Sequence, residues 1–266
     1  MKNLFDVVRQ CLLSTNVDQK LEQTRYMVAA FREASLDAAT FGVPVPVEQP
    51  GRPTSPHLVP PARVPRRGVG TQQGRAIMLH AIAHIEFNAI NLALDIVQRF
   101  ADMPTDFYAD WLKVADEEVC HFGLIRAHLQ TLGHDYGDFE AHNGLWEMAE
   151  KTAGDILQRL ALVPRVLEAR GLDVTPGIIE KFRQAGDHEA VSILEIILRD
   201  EIGHVKIGTR WFRYCCEQRG LDPEQSFISL LKKHFPKGLQ GVLNVTARRQ
   251  AGFSDWELNH VQEVTA

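Results

Sequence analysis

Two Glu-x-x-His spacings, Glu118 with His121 and Glu201 with His204, stand in the middle of long apolar stretches. Three residues along an α-helix turn about 300° and rise roughly 4.5 Å, so a carboxylate and an imidazole at this spacing share one face and can hold a metal ion together. Stepping by three or four from Glu201 and His204 meets Ile193, Leu194, Ile197, Gly208, Trp211, Phe212 and Cys215, an apolar stripe. From Glu118 and His121 the same stepping meets Trp111, Val114, Ala115, Phe122, Ile125 and Leu129. Buried charges need a partner or a metal. With 18 Glu and 11 His among 266 residues, about one such spacing arises by chance, so placement has to separate the matches. A third match, Glu257 with His260, falls in a polar tail and reads as a solvated pair.

Two lone glutamates extend the pattern. Glu86 shares a stripe with Leu79, Ala83, Ile90, Ala93 and Val97, and Glu168 lies one turn beyond Pro164 on a helix carrying Ile156, Leu157, Leu160, Ala161 and Leu167. Glu86 precedes Glu118 by 32 residues and Glu168 precedes Glu201 by 33. In an antiparallel hairpin, residues equally far from the turn meet at one level, so the near-equal separations read as two copies of a half-site. Together Glu86, Glu118, His121, Glu168, Glu201 and His204 form the ligand set of a dinuclear carboxylate bundle: a Glu from each of two helices and Glu-x-x-His from the other two. Glu168 comes three residues before Gly171, where the helix is expected to end, so Glu147 and Glu150 stand as alternatives for the third-helix ligand. Mixed carboxylate and imidazole ligation suits iron first and manganese second, while the lack of cysteine ligands disfavours structural zinc. Two such ions about 3.5–4 Å apart can share bridging carboxylates.

Helices must position these residues, because apolar residues recur at three and four rather than at two and no stretch reads as a strand. Four segments are expected: residues 1–42, a helical hairpin broken near Ser14–Asn16; 43–70, a proline-rich strap that forbids helix; 71–220, a four-helix bundle; and 221–266, a weakly helical tail. Within the bundle, helices are predicted over about 71–100, 106–132, 145–170 (kinked at Pro164 and ended by Gly171) and 188–219, with a short extra helix opened by Thr175–Pro176. Arg63, Arg66 and Arg67 at the end of the strap read as solvated linker charge. His84 lies about 200° around the helix from Glu86, so His80 and His84 are expected to pack rather than ligate. Trp111 and Trp211 read as ordinary core.

Composition narrows the function. A net charge of -5 and a pI near 6.1 give no polybasic footprint for nucleic acid or anionic membrane. Asp6 and Arg9 interrupt what would be the core of a signal peptide, and no apolar run reads as a membrane span. Four cysteines with no C-x-x-C pair suit a reduced, cytoplasmic protein. No P-loop, G-x-S-x-G or dinucleotide-binding glycine pattern is present.

Residues about 71 to 219 resemble the ferritin-like di-iron carboxylate superfamily. Leu167-Glu168-Ala169-Arg170 and Asp200-Glu201-Ile202-Gly203-His204 are similar to its tRNA-hydroxylase and related oxygenase branch. The runs His80–Glu86 and Glu168–Gly171 resemble a bacterial group of ferritin-like proteins of undefined function. The resemblance implies a ferritin-like four-helix bundle, two iron ions (manganese as the alternative) and O2 activation by an oxidoreductase on a small-molecule substrate. A reductase and a second copy of the chain are the expected partners. It also implies that Glu117 orients His204 and that Asp200 orients His121. Iron handling is the alternative function; RNA-directed hydroxylation is a further one, opposed by the acidic charge.

Overall fold

The structure, a computed structural model, describes residues 2–37, 45–64, 68–239 and 241–265. It is all-α, as the helical period requires, and divides into two compact units: Met1–Glu147 with Ala185–Ile193, and Met148–Gln184 with Leu194–Ala266.

In the first unit, β1 (Lys2–Asn3) leads into α1 (Leu4–Leu13), where Asn3 Oδ1 accepts the N–H groups of Phe5 and Asp6 and so caps the helix. The expected break at Ser14–Asn16 is present, and Asn16 caps α2 (Val17–Arg32) by accepting from Gln19 N. β2 (Leu36–Asp37) pairs in parallel with β1, a two-residue ladder that no sequence period announced. Lys20 of α2 is fully buried, donating to Leu12 O at 2.8 Å and Asn91 Oδ1 at 2.7 Å, and burial lowers its pKa to about 7.

α3 (Gln72–Arg99), capped by Thr71, and α4 (Thr105–Thr131) form an antiparallel pair. Gln72 at the start of α3 reaches Leu132 O just past α4, and Tyr108 at the start of α4 bonds Phe100 O beyond the end of α3. By length and composition α3 could cross a membrane, contrary to the reading from sequence; but 89% of its apolar window is buried inside the protein, and packing accounts for its apolarity. α1 lies against α3 and α2 against α4.

The described part of the proline-rich segment is an extended strap with one 3₁₀ turn at Pro61–Arg63. Its backbone is pinned by Arg99 to Val47 O, by Gln98 to Val45 O, by Trp146 Nε1 to Glu48 O and by a bridge between Leu58 and Ala141. At Gly51 the strap passes so close to α1 that a Cβ would fall 2.2 Å from Leu13 O, so only glycine fits. Arg63 is exposed, whereas Arg66 and Arg67 lie outside the described residues.

The second unit corrects several expectations. The helix predicted over 145–170 is broken: α5 (Gly144–Lys151) ends before a turn, and Asp155 caps a new helix, α6 (Ile156–Leu162). Instead of a kink at Pro164 there is a π-helical turn, Val163–Glu168. The helix then runs through Gly171 and Pro176 as α7 (Ala169–Gln184), so the expected stop and restart are absent. α8 (His188–Gln218) is capped by Asp187, as its sequence indicates; its first residues belong to the first unit and the rest to the second. The tail is ordered into α9 (Pro223–His234), α10 (Val245–Gln250) and α11 (Asp255–Thr265).

Aromatic packing and a buried ion pair explain that ordered tail. Arg165, in the π-turn, is fully buried with its guanidinium 4.7, 4.0 and 4.6 Å from the rings of Phe212, Phe227 and Phe253. It donates to Glu257 Oε1 at 2.6 Å, and Glu257 is itself fully buried and also accepts from Ser254 N. The expected solvated pair of Glu257 and His260 is thus wrong for Glu257, which is the counter-ion of a core arginine.

Candidate metal centre

The first half-site is built on the α3–α4 pair. Glu86 lies 13 residues before Arg99, the end of α3, and Glu118 lies 13 residues after Thr105, the start of α4, so the hairpin sets them level. Glu86, Glu118 and His121 are at most 3% exposed, and each offers a ligand atom within 4.8 Å of those of the others. His121 Nδ1 stands 3.3 Å from Glu86 Oε2 and 3.5 Å from Glu118 Oε2.

Electrostatics bind the three together. Burial, together with the neighbouring Glu118 carboxylate, holds the Glu86 carboxyl well above the usual carboxylate range. For His121, burial alone would favour the neutral ring, but Glu118 and Glu86 outweigh it and push its pKa up to about 11. Glu86 Oε2 is buried and makes no hydrogen bond of ordinary geometry. Two carboxylates and an imidazole crowded in an apolar core, one of them with an unsatisfied oxygen, fit a cation better than they fit one another.

The second unit carries the other sequence match. On α8, His204 Nδ1 is 3.4 Å from Glu201 Oε1, with His204 fully buried and the Glu201 side chain 14% exposed. His121 and His204 therefore present the same ring nitrogen to the carboxylate three residues before them, at 3.5 and 3.4 Å. Glu168 closes the π-turn and is half-buried, with Oε2 shielded from solvent. Since α7 continues for 16 residues beyond it to Gln184, Glu168 is a mid-helix residue, and the worry that it lies at a helix end disappears. Glu147 and Glu150, the alternatives, are exposed on α5.

Other candidates fall into place within their own units. Glu117 accepts from Lys113 Nζ at 2.8 Å, and Asp200 accepts from Arg199 Nε at 2.9 Å. His80 accepts from Gly137 N at 3.0 Å; His84 meets Tyr136 Oη at 2.9 Å and His142 O at 3.1 Å, and burial lowers its pKa to about 4. Both histidines thus pack and hydrogen-bond. Trp111 is buried beside Phe107, and Trp211 stacks under Arg210 and against Tyr214. What sequence reading missed is the π-turn and its Arg165–Glu257 brace. A signal was available: Arg165 is the charged residue in the apolar run Leu160–Leu167, and such a charge calls for a counter-ion.

Comparison with known proteins supplies a family without an activity. Residues 13–259 match the family described as "Protein of unknown function (DUF455)". An "Uncharacterized protein" of Haemophilus influenzae is 55% identical over 219 residues, which cover 80% of this chain and 76% of that protein. No solved structure matches the chain.

Proposed function

We propose that this chain, which belongs to the DUF455 family of proteins of unknown function, is a dinuclear metal carboxylate protein of the ferritin-like kind and an O2-activating oxidoreductase. The observation that carries the reading is the buried trio Glu86, Glu118 and His121, whose ligand atoms converge within 4.8 Å in an apolar core. Glu168, Glu201 and His204 repeat the same residue types in nearly the same sequence separation, 33 residues against 32. We take the two halves to supply one centre holding two iron ions, with manganese as the alternative, because hard carboxylates mixed with imidazole suit these metals.

Held by these residues, a reduced metal pair would supply O2 activation for oxidation of a small-molecule substrate, with the electrons restored by a reductase. The protein's own residues prepare the place. Glu86 and Glu118 neutralise the positive charge, and His121 and His204 present Nδ1, the nitrogen already aimed at a carboxylate in each half. His121 would hold the ion as a neutral ligand, so metal uptake would be coupled to loss of the imidazole proton that Glu118 and Glu86 now favour. On the resemblance, Asp200 and Glu117 would steady the histidines by hydrogen bonding, and the surrounding apolar stripes would exclude water. The four free cysteines fit a reducing, cytoplasmic setting.

Metal analysis of purified protein tests the proposal. About two ions of iron or manganese per chain are expected in the wild type, falling to near zero in Glu118→Ala; wild-type protein free of both metals after aerobic and anaerobic loading overturns it.

A further inference from the structure

On the far side of α3 from Glu86, the strap and the α4–α5 connection line an open pocket of about 270 Å³ that the metal chemistry does not use. Its polar wall is Arg52, Thr54, His57, His84 and Tyr136; Pro56 and Leu58 form an apolar wall. Among the described residues no carboxylate lines it.

The arrangement is fixed in advance. The Arg52 guanidinium stands 5.9 Å from the ring of buried Trp146, and Nη2 contacts Asn88 Oδ1 at 3.5 Å, so the cation is held in place rather than left to sweep through solvent. Tyr136 is set by His84. His84 Nδ1 meets Tyr136 Oη at 2.9 Å, and its Nε2 lies 3.1 Å from both His142 O and Asn88 Nδ2. Arg52 places its guanidinium on the described lining. The strap itself cannot drift away, since Val59 N bonds Ala141 O and Ala141 N bonds His57 O.

We infer that this cavity is a binding site for a short-chain organic carboxylate, its carboxylate on Arg52 and its alkyl part against Pro56 and Leu58. The guanidinium fork matches a carboxylate, and the apolar wall favours a carboxylate with a hydrocarbon stem over a fully hydrated inorganic anion. The site sits on the opposite face of α3 from Glu86, so the inference stands or falls independently of the metal centre.

Thermal shift and calorimetric titration of the full-length protein with butyrate, its neutral isostere butyramide, and inorganic phosphate test this. Butyrate is expected to raise the melting temperature saturably, butyramide and phosphate are not, and Arg52→Met is expected to weaken butyrate binding by at least about tenfold. No saturable butyrate effect, an equal effect of butyramide, or unchanged binding in a folded Arg52→Met variant overturns the inference. An effect of phosphate without one of butyrate overturns the carboxylate assignment. Should Arg52→Met fail to fold, the wild-type contrast between butyrate and butyramide decides.

Discussion

The two Glu-x-x-His clusters use the same residue types on differently built helices. In the first unit, Glu86 and Glu118 sit on uninterrupted helices, each 13 residues from the turn, inside an apolar packing of α1 to α4. In the second, Glu201 likewise lies 13 residues after the start of its helix, but Glu168 lies 16 residues before the end of α7 and terminates a π-turn. Near-equal separation in sequence therefore conceals an offset of three residues, roughly 4.5 Å along a regular helix. A π-turn is the device that re-aims side chains within a continuous helix, and here it is held by Pro164 against Gly208 and by the buried Arg165–Glu257 pair. One half-site is positioned by regular periodicity; the other needs a charged brace supplied from 89 residues downstream of Glu168, by Glu257.

That contrast can be broken at its strongest point first. Glu257→Gln leaves Arg165 buried without a counter-charge, and a loss of about 3–5 kcal/mol in chemical denaturation is expected, concentrated in amides of α6 to α11 by hydrogen exchange. Equal loss of protection in α3 and α4 would show that the brace is not particular to the second unit. Gly208→Ala comes next: its Cβ would fall 2.5 Å from Pro164 Cβ, so a loss of about 1–3 kcal/mol is expected. Gly203, between Glu201 and His204 on the same helix, has open space where its Cβ would go. Gly203→Ala should therefore stabilise by about 0.5–1 kcal/mol, and melting curves of the two variants should move in opposite directions. In the first unit the buried Lys20 ties stability to pH. Its folded pKa of about 7 lies below the ordinary 10.5, so the unfolded chain binds more protons between these values and wild-type stability rises with pH across that window. Lys20→Met should flatten the rise; urea titrations at pH 7 and pH 9 read it directly.

How far the sequence discloses this follows from the same contrast. The boundaries of α3, α4 and α8 and the inward facing of Glu86, Glu118, His121 and His204 were legible because these helices follow one period without interruption. Gly171 and Pro176 read as a stop and a restart because propensity rules are local. Within the second unit, α7 continues through both, with Ile179 and Phe182 buried and Arg248 clamped to Asp173 beside it. The π-turn could not be read at all, since it is fixed by contacts from Gly208 and Glu257, 44 and 92 residues beyond Pro164 and Arg165. Glu257 was misread for the same reason: its partner is remote, and an acidic residue in a polar tail is ordinarily solvated.

Our proposal assigns Glu86, Glu118, His121, Glu168, Glu201 and His204 to a dinuclear metal protein. Metal content per chain, measured on iron-loaded wild type, Glu118→Ala and His204→Ala under identical conditions, tests it most directly. The account predicts about two ions in the wild type and a loss of well over one ion in each variant, although each substitution touches only one half. Retention of one full ion in both variants would mean that the halves bind independently and would contradict the claim, as would a wild type that holds no metal.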